Sequence, residues 1–537
     1  MLVLSMNKKH EFKFFLRILV ETVWAAGLMA ILTSCGTSPG YNYTISGTVG
    51  GMIGSGLVLQ DNGGDDRTIT ANGAFSFVTA LNDGTAYSVT VKTQPTNPSQ
   101  TCVVSNGSGT ITGSPVMNVA VSCVMNSSPV TVDPSGNFAY VSNSNTSNIS
   151  AYTINQTTGA LTSVSGTFTT GISPNQVTVD PSGTFAFVAN MGGGTGDGTI
   201  SAYTIDNTST STPGALNTVT GSPFTAGTSP SQVTVDPSGT FVYVANIGDG
   251  TISAYTIDNT STSTPGALNA VSGSPFTAGT SPLSVTIYPY ISGTFASSGE
   301  FAYVPNMNDN TISVYTINTD GSLTPSINTP TVGTGTYPTS FTIYTNSSGA
   351  SFAYVPNLGD GTISLFTINS DGSLSGNGNA VTADTYPASV TIYPNSSGTY
   401  AYAYVSNMGS GNITAFAINP SDGTYNSYVT GSNFTTGTYP NPVTLYTNSS
   451  GDTFAYVSDR NDGNIWVYSI DGTSGVLTPF SNTPTATAGT SLTTVTIDLP
   501  APPTRPNASA YVSDVNTGIV YAFIIGDDGT LTPVSVH

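Results

Sequence analysis

Histidine and basic residues are nearly missing from this chain. Its 537 residues include two His and eight Lys or Arg against 28 Asp or Glu, and only 7% are charged. DNA and RNA are held through many Lys and Arg contacts, and so few scattered bases exclude nucleic acid as a partner. The two His are His10 and the terminal His537, so imidazole metal sites and His-based triads lack their central group. Scarcity of charge does not mean disorder here. The chain is 38% apolar and 10% aromatic, and its apolar residues recur in ordered patterns. Fifty-nine Gly and 33 Pro supply turns, while 28 Tyr with abundant β-branched residues supply strands. An all-β protein is expected.

The first segment reads as an address. Residues 6–17 are basic, and Val23 to Leu32 form an apolar run of ten, half the length a membrane-spanning helix needs. The run ends Leu32-Thr33-Ser34-Cys35, which resembles the lipobox of bacterial lipoproteins. That resemblance implies a signal peptide over 1–34, a lipid on Cys35 and membrane attachment through it. Gly36 follows where inner-membrane retention signals carry Asp, so an outer-membrane lipoprotein, periplasmic or surface-exposed, is expected. Residues 35–40 are then a lipidated tether, Cys-Gly-Thr-Ser-Pro-Gly. Without residues 1–34, four bases (Arg67, Lys92, Arg460 and Arg505) face 26 acids, a net charge of −22.

From 41 to 124 the chain alternates apolar and polar residues in about seven short strands with Asn-Gly and Asp-Gly turns, the pattern of a small β-sandwich. With Cys35 lipidated, Cys102 and Cys123 have only each other to pair with. The bond would close a loop of roughly 20 residues, worth about 3 kcal/mol on the chain-entropy model. The segment resembles the immunoglobulin-like or carboxypeptidase-regulatory-like domains that begin many bacterial surface lipoproteins. A spacer or stabilising role follows.

Residues 128–537 are a repeat. Its anchors are Tyr140, Phe187, Tyr243, Tyr303, Tyr354, Tyr404, Tyr456 and Tyr511, spaced 47 to 60 residues apart. Each period holds four strand candidates: Val-Thr-Val-Asp or Val-Thr-Ile-Tyr, Phe-Ala-Tyr-Val, Ile-Ser-Ala-Tyr-Thr-Ile, and a weaker Gly-Ala-Leu segment. Such periods are the signature of propeller blades, here eight, with seven as the alternative. Blades two and three share the string Asp-Asn-Thr-Ser-Thr-Ser-Thr-Pro-Gly-Ala-Leu-Asn, at Asp206 and Asp258, the mark of duplication.

Pro-Ser-Gly-Thr-Phe-Val-Tyr-Val-Ala-Asn followed by Gly-Thr-Ile-Ser-Ala-Tyr-Thr-Ile resembles the bacterial lactonase-family propellers, relatives of 6-phosphogluconolactonase, and the Tyr-Val-Thr-Asn-type repeat propellers of surface layers. The resemblance implies a lactonase-like hydrolase acting on a sugar lactone. Such an enzyme would need basic groups to hold an anionic sugar, and the repeat offers only Arg460 and Arg505. The activity is therefore not carried over with the fold.

Candidate sites lie at the ends of the second strands and on the links between blades. Asn143, Asn190, Asn246, Asn306, Asn357 and Asn407 give way to Asp459 and Asp514 in blades seven and eight, with Arg460 and Asp462 beside the first. Asn and Asp also cap turns by bonding their own backbone, the commoner role. Incoming links read Ser-Pro in blades one to four but Tyr337-Pro338, Tyr386-Pro387 and Tyr439-Pro440 in five to seven. Three tyrosines on consecutive blades could stack on a sugar or a protein, or simply pack on their prolines. The binding candidates are thus Tyr337, Tyr386, Tyr439, Asp459, Arg460 and Asp514. Asp459, Asp514 and Glu300 are weak catalytic candidates, since paired carboxylates can do acid-base work. No cofactor is expected. Acidic turns such as 306–310 and 359–361 could take Ca²⁺, although none matches an EF-hand loop and Asp-Gly is also the ordinary hairpin dipeptide.

The expectation is a lipid-anchored envelope protein whose propeller is a non-catalytic binding or structural module for glycan or protein. The alternatives are the lactonase-like hydrolase and self-association into a surface layer. Replacing Cys35 by Ser should shift the protein from the membrane to the soluble fraction, measured by fractionation and by loss of a lipid-sized mass on the N-terminal peptide.

Overall fold

A computed structural model describes residues 42–537 apart from 97–99, 126–127, 193–196, 289–299, 379, 396–399, 481–485 and 500–506. The expected signal peptide and tether, with Cys35, and Arg505 lie outside the described residues.

Residues 42–125 form ten strands, eight of them in two four-stranded sheets around one apolar core that includes Ile45, Val49, Leu59, Phe77 and Val121. Cys102 and Cys123 stand directly opposite each other on neighbouring antiparallel strands, Gln100–Ser105 and Val116–Met125, and are bonded.

Eight further sheets follow among the described residues, each one contiguous stretch of chain. The first runs Thr131–Val132, Phe138–Asn143, Asn148–Ile154 and Leu161–Ser163 from the channel outward. A short fifth strand, such as Phe168–Thr169, returns along the third in seven of them before the chain crosses to the next blade. The repeat count hid that strand because it is only two to five residues long. Second strands are buried on both faces, as in Phe185–Asn190, because each blade is sandwiched between two others.

The blades are tied by three sets of side-chain bonds. The inner-strand Thr of every blade donates its hydroxyl to an inner-strand carbonyl of the next: Thr131 to Val177, Thr178 to Val233, Thr234 to Val285, Thr286 to Phe341, Thr342 to Val390, Thr391 to Val443 and Thr444 to Val495, at 2.6 to 3.4 Å. Thr496 closes the circuit on Val130 at 2.6 Å. Seven of the eight aromatic anchors are tyrosines whose hydroxyl reaches a glycine carbonyl in the next blade, from Tyr140 to Gly214 (3.0 Å) through Tyr511 to Gly159 (2.9 Å). Burial pushes phenols such as Tyr303 and Tyr404 far up, so they stay protonated donors. Third-strand tyrosines Tyr203, Tyr255, Tyr315 and Tyr468 bond backward to the fifth strand of the preceding blade.

Glycine is required where the tyrosines land. Gly372 has φ +77°, and a Cβ there would stand 2.1 Å from the ring of Phe301.

Blades one to three carry Val-Thr-Val-Asp on the inner strand and blades four to seven Val-Thr-Ile-Tyr or its close variants, and the two groups differ in one turn. In blades two and three Asp180 and Asp236 directly follow the inner strand and accept N–H bonds from the Ser of the Pro-Ser-Gly turn and from the Phe that opens the second strand. Blades five and seven place Tyr344 and Tyr446 there, and Asn346 and Asn448, two residues later, accept the equivalent bonds. An even shift keeps every inner-strand side chain on its own face.

Phe187 is the one anchor without a hydroxyl, and Gly266 is its counterpart carbonyl in blade three. Phe187→Tyr should complete the set and raise stability by about 1 kcal/mol, whereas Tyr354→Phe should lower it by a similar amount. Urea unfolding midpoints measure both.

Candidate functional site

The second-strand ends and the hairpins after them share one face of the ring, and the small domain sits on it. Ser105 Oγ donates to the Ile247 carbonyl (3.4 Å), Asn308 Nδ2 to Ser122 Oγ (2.7 Å), and the Tyr337 hydroxyl to the Val49 carbonyl (3.1 Å). These contacts fall on blades three, four and five. Between the domain and the channel mouth lies a cavity of about 350 Å³, walled by Met307, Leu358 and Met408 from hairpins and by Ile53 and Val124 from the roof. Gln176 and Gln232 supply part of its polar lining.

The asparagine ring is structural in its bonding. In blades one to six the amide Nδ2 donates to two side-chain oxygens of the third strand, for example Asn246 to Thr251 (2.9 Å) and Ser253 (3.0 Å). The same pair of bonds recurs from Asn143, Asn190, Asn306, Asn357 and Asn407. In blades three and four the amide oxygen accepts a backbone N–H from the incoming link, from Gly227 (3.2 Å) and Gly279 (3.0 Å). Each side chain thereby fastens a link to a hairpin.

Asp459 keeps the second contact, from Gly437 N–H (2.9 Å), but has no Nδ2 to give. Its third-strand neighbour is Trp466 in place of the Ser253-type hydroxyl. The indole N–H faces Asp459 Oδ1 without closing a well-formed hydrogen bond, so the blade has exchanged an amide donor for an acceptor and a hydroxyl for a donor. The carboxyl is fully buried, and burial pushes its pKa up to about 7. Beside it, Arg460 occupies the position of Met191, Ile247, Met307, Leu358 and Met408 in blades two to six. It is 2% exposed, its guanidinium donates to Asn441 Oδ1 at 3.4 Å, and burial lowers its pKa only to about 10, so it remains charged. Asp462 accepts both N–H (2.7 Å) and hydroxyl (2.8 Å) of Thr438.

Asp514 has the opposite titration. Burial alone would raise it, but N–H groups of Thr490, Thr517, Asn516 and Ser491 outweigh that and hold it below the usual range. Its carboxylate is occupied in binding two stretches of backbone, as an Asx cap. Glu300 opens its second strand, Glu300–Asn306, whereas Asp459 and Asp514 follow the far ends of theirs. A seven-residue strand spans about 20 Å, so Glu300 lies on the other face, well beyond the separation at which two carboxylates share one substrate bond. The three acids do not form one site.

The three tyrosines also divide. All have left-handed backbones, with φ of +59°, +57° and +59°, as do Ser173, Ser229 and Ser281 at the same place in blades two to four. Tyr337 and Tyr386 lie over Gly359 and Gly409, where a Cβ would come within 2.8 Å of either ring. Blade seven has Asn461 at that position under Tyr439. Tyr337 is committed to the small domain, leaving Tyr386 and Tyr439 half-exposed. The acidic turns weighed for Ca²⁺ use Asp309 and Asp360 to accept N–H groups of Thr280 and Thr336. Among the described residues no group of three or more His, Cys, Asp or Glu is placed to hold a metal ion.

The Asp459 carboxyl gives a pH signature. Folded protein holds a proton on it up to about pH 7, while the unfolded chain releases that proton near pH 4. Between those values the folded state binds more protons, so stability falls as pH rises from about 4 to 7 and is level above, a total on the order of 4 kcal/mol. Asp459→Asn should flatten this slope whatever it does to absolute stability, as read from urea midpoints at pH 5 and pH 8.

A family described as lactonase, 7-bladed beta-propeller, matches residues 100–437, more than half the chain. No curated protein matches. Among solved structures, a candidate 6-phosphogluconolactonase from Bacteroides fragilis is 21% identical, with 66% of this chain and 94% of that one covered and a TM-score of 0.46. The periplasmic gluconolactonase PpgL of Pseudomonas aeruginosa is 18% identical over 64% and 95%, with a TM-score of 0.45. Sqt1 of Saccharomyces cerevisiae, 12% identical over 75% and 97%, reaches 0.53 and speaks to the fold alone. The family description has seven blades and this ring has eight, yet repeat and family match coincide over most of its length: the chain belongs to the lactonase family of β-propellers.

Proposed function

We propose that this lactonase-family propeller works in the cell envelope, lipid-anchored through Cys35, as a binding or structural module for glycan or protein rather than as a hydrolase. One observation carries the proposal. Asp462 and Asp514 are engaged by backbone N–H groups, and Asp459, although its carboxyl titrates near neutrality, is fully buried under the Gly437 link and out of a substrate's reach. Among the described residues the propeller's one cationic side chain, Arg460, is buried beside them. The roof over the channel mouth adds support, since a substrate entering there would have to displace the small domain.

A second reading, hydrolysis of a sugar lactone, is favoured by the family match, which supports it better than any comparison supports a binding module. The two separate cleanly. Detergent-solubilised full chain should leave glucono-lactone and 6-phosphogluconolactone opening at their spontaneous rates while retaining immobilised envelope glycan or protein. Turnover well above the spontaneous rate that falls at least tenfold in Asp459→Asn or Asp514→Asn would establish the hydrolase instead.

A further inference from the structure

The small domain is held at one repeated position of the ring, the left-handed link residue just before the inner-strand proline. In blade four that residue is Ser281, whose hydroxyl bonds Ser122 of the small domain. In blade five it is Tyr337, whose hydroxyl donates to the Val49 carbonyl (3.1 Å). Gly50 then lies against the same ring. A Cβ on Gly50 would stand 2.6 Å from Tyr337 Cε1, and one on the hairpin residue Gly359 would stand 2.8 Å from Cδ2, the diametrically opposite ring carbon. The ring is clamped between two glycines, so the strand it holds, Ile45–Gly50, must offer a carbonyl followed by a residue without a side chain.

Blade six rebuilds this platform one step further round the ring. Tyr386 has a φ of +57° against +59° for Tyr337, and a Cβ on Gly409 would come to the same 2.8 Å from its Cδ2. Thr385 packs on Gly409 as Thr336 packs on Gly359. The carbonyls of Tyr386 and Thr385 hold the hairpin through Met408 N–H (2.9 Å) and Gly409 N–H (3.0 Å), as those of Tyr337 and Thr336 do in blade five, so the ring stands on a fixed base. The small domain's bonds described above fall on blades three to five, and the Tyr386 ring is half-exposed. Tyr439 continues the arc on blade seven, over a base altered by Asn461.

We propose that Tyr386 is a docking platform for another protein, and that its occupant is an extended segment presenting a backbone carbonyl followed by glycine. This rests on the reading of the propeller as a binding module and names the class of its partner. Continuity with an existing interface carries it: on the neighbouring blade, a tyrosine in this seat holds strand backbone, not a sugar. The small domain's own Val49 and Gly50 are engaged at Tyr337 and cannot serve. Charge narrows the partner further. Asp384 and Asp462 accept the N–H groups of Thr385 and Thr438, the residues just before Tyr386 and Tyr439, while the propeller's one cation among the described residues, Arg460, is buried. An acidic rim disfavours a second copy of this acidic chain and favours a segment flanked by Lys or Arg.

The test titrates the full chain in detergent into fluorescein-labelled Lys-Gly-Thr-Val-Gly-Gly-Lys, which copies Gly47 to Gly51 between two lysines. Anisotropy should saturate, and affinity should fall about tenfold when Leu replaces the glycine after Val, because its side chain would run into the ring. Tyr386→Phe keeps the ring and loses only the hydroxyl, so it should cost about threefold, and Tyr386→Ser about tenfold. An unchanged urea midpoint for the Phe variant shows that a contact was lost and not the fold. Equal binding of the Leu peptide, or parental affinity in both variants, overturns the platform. Binding of maltohexaose that depends on Tyr386, with none of the peptide, overturns it in favour of glycan. Sedimentation should give a single copy; association that the peptide reverses would hand the platform to a second copy and overturn the foreign partner. Lactone turnover is what would sink the binding-module reading itself, so the two failures are distinct.

Discussion

The structure depends on closing a circle. A blade is a twisted sheet with two apolar faces, and neither can be buried except against another blade, so the ring is stable only when its last member meets its first. The inner-strand threonines set that condition at the narrowest radius. Each ties its strand to the next, and the bond from Thr496 to Val130 has the geometry of the other seven. Farther out, the Tyr511 to Gly159 bond and a shared cluster of Val130, Val141, Tyr152, Tyr511 and Val520 seal the same junction. With eight blades satisfied in this way, there is no gap in which the ring could be one member short.

Much of this was legible from residue types alone. Anchor spacing located the second strand of every blade, because a buried aromatic followed by Val is needed wherever a strand is covered on both faces. The threonine circuit was not legible, since Val-Thr-Val and Val-Thr-Ile read as ordinary strand alternation until the neighbouring blade is in place. The site was read less well. Asn at the strand end read more readily as a turn cap than as a ligand ring, and only the paired hydroxyls of the third strand, such as Thr251 and Ser253, show what its amide holds. Glu300 joined the acids by being the lone Glu after residue 34, a count that says nothing about which face it occupies. Nothing in the spacing foretold that the small domain would lie over the face carrying the tyrosines.

The charge imbalance takes on a different meaning in three dimensions. Asp180, Asp236, Asp462 and Asp514 are each held by two or more hydrogen bonds, and in each case a turn or a link is the beneficiary. Negative charge here is repeated architecture. Blade seven is the exception, where Asp459, Arg460 and Trp466 stand at the positions that blade three fills with Asn246, Ile247 and Ser253. One protonatable acid and one cation are buried side by side there, so blade seven makes the hairpin face sensitive to pH.

Each blade is a single uninterrupted piece of chain, and no strand is exchanged across the closing junction. Propellers that close by lending a terminal strand to the first blade must conserve both chain ends whenever a member is added. This ring carries no such obligation. A whole period can be copied in the interior, as the identical strings at Asp206 and Asp258 record, and the copy arrives with its own threonine, its own anchor and its own link already matched to both neighbours. The circle then widens from about 51° to about 45° per member while the ends are left as they were. In such a scaffold the number of blades is itself a heritable variable, which offers a simple route from the seven of the family to the eight found in this chain.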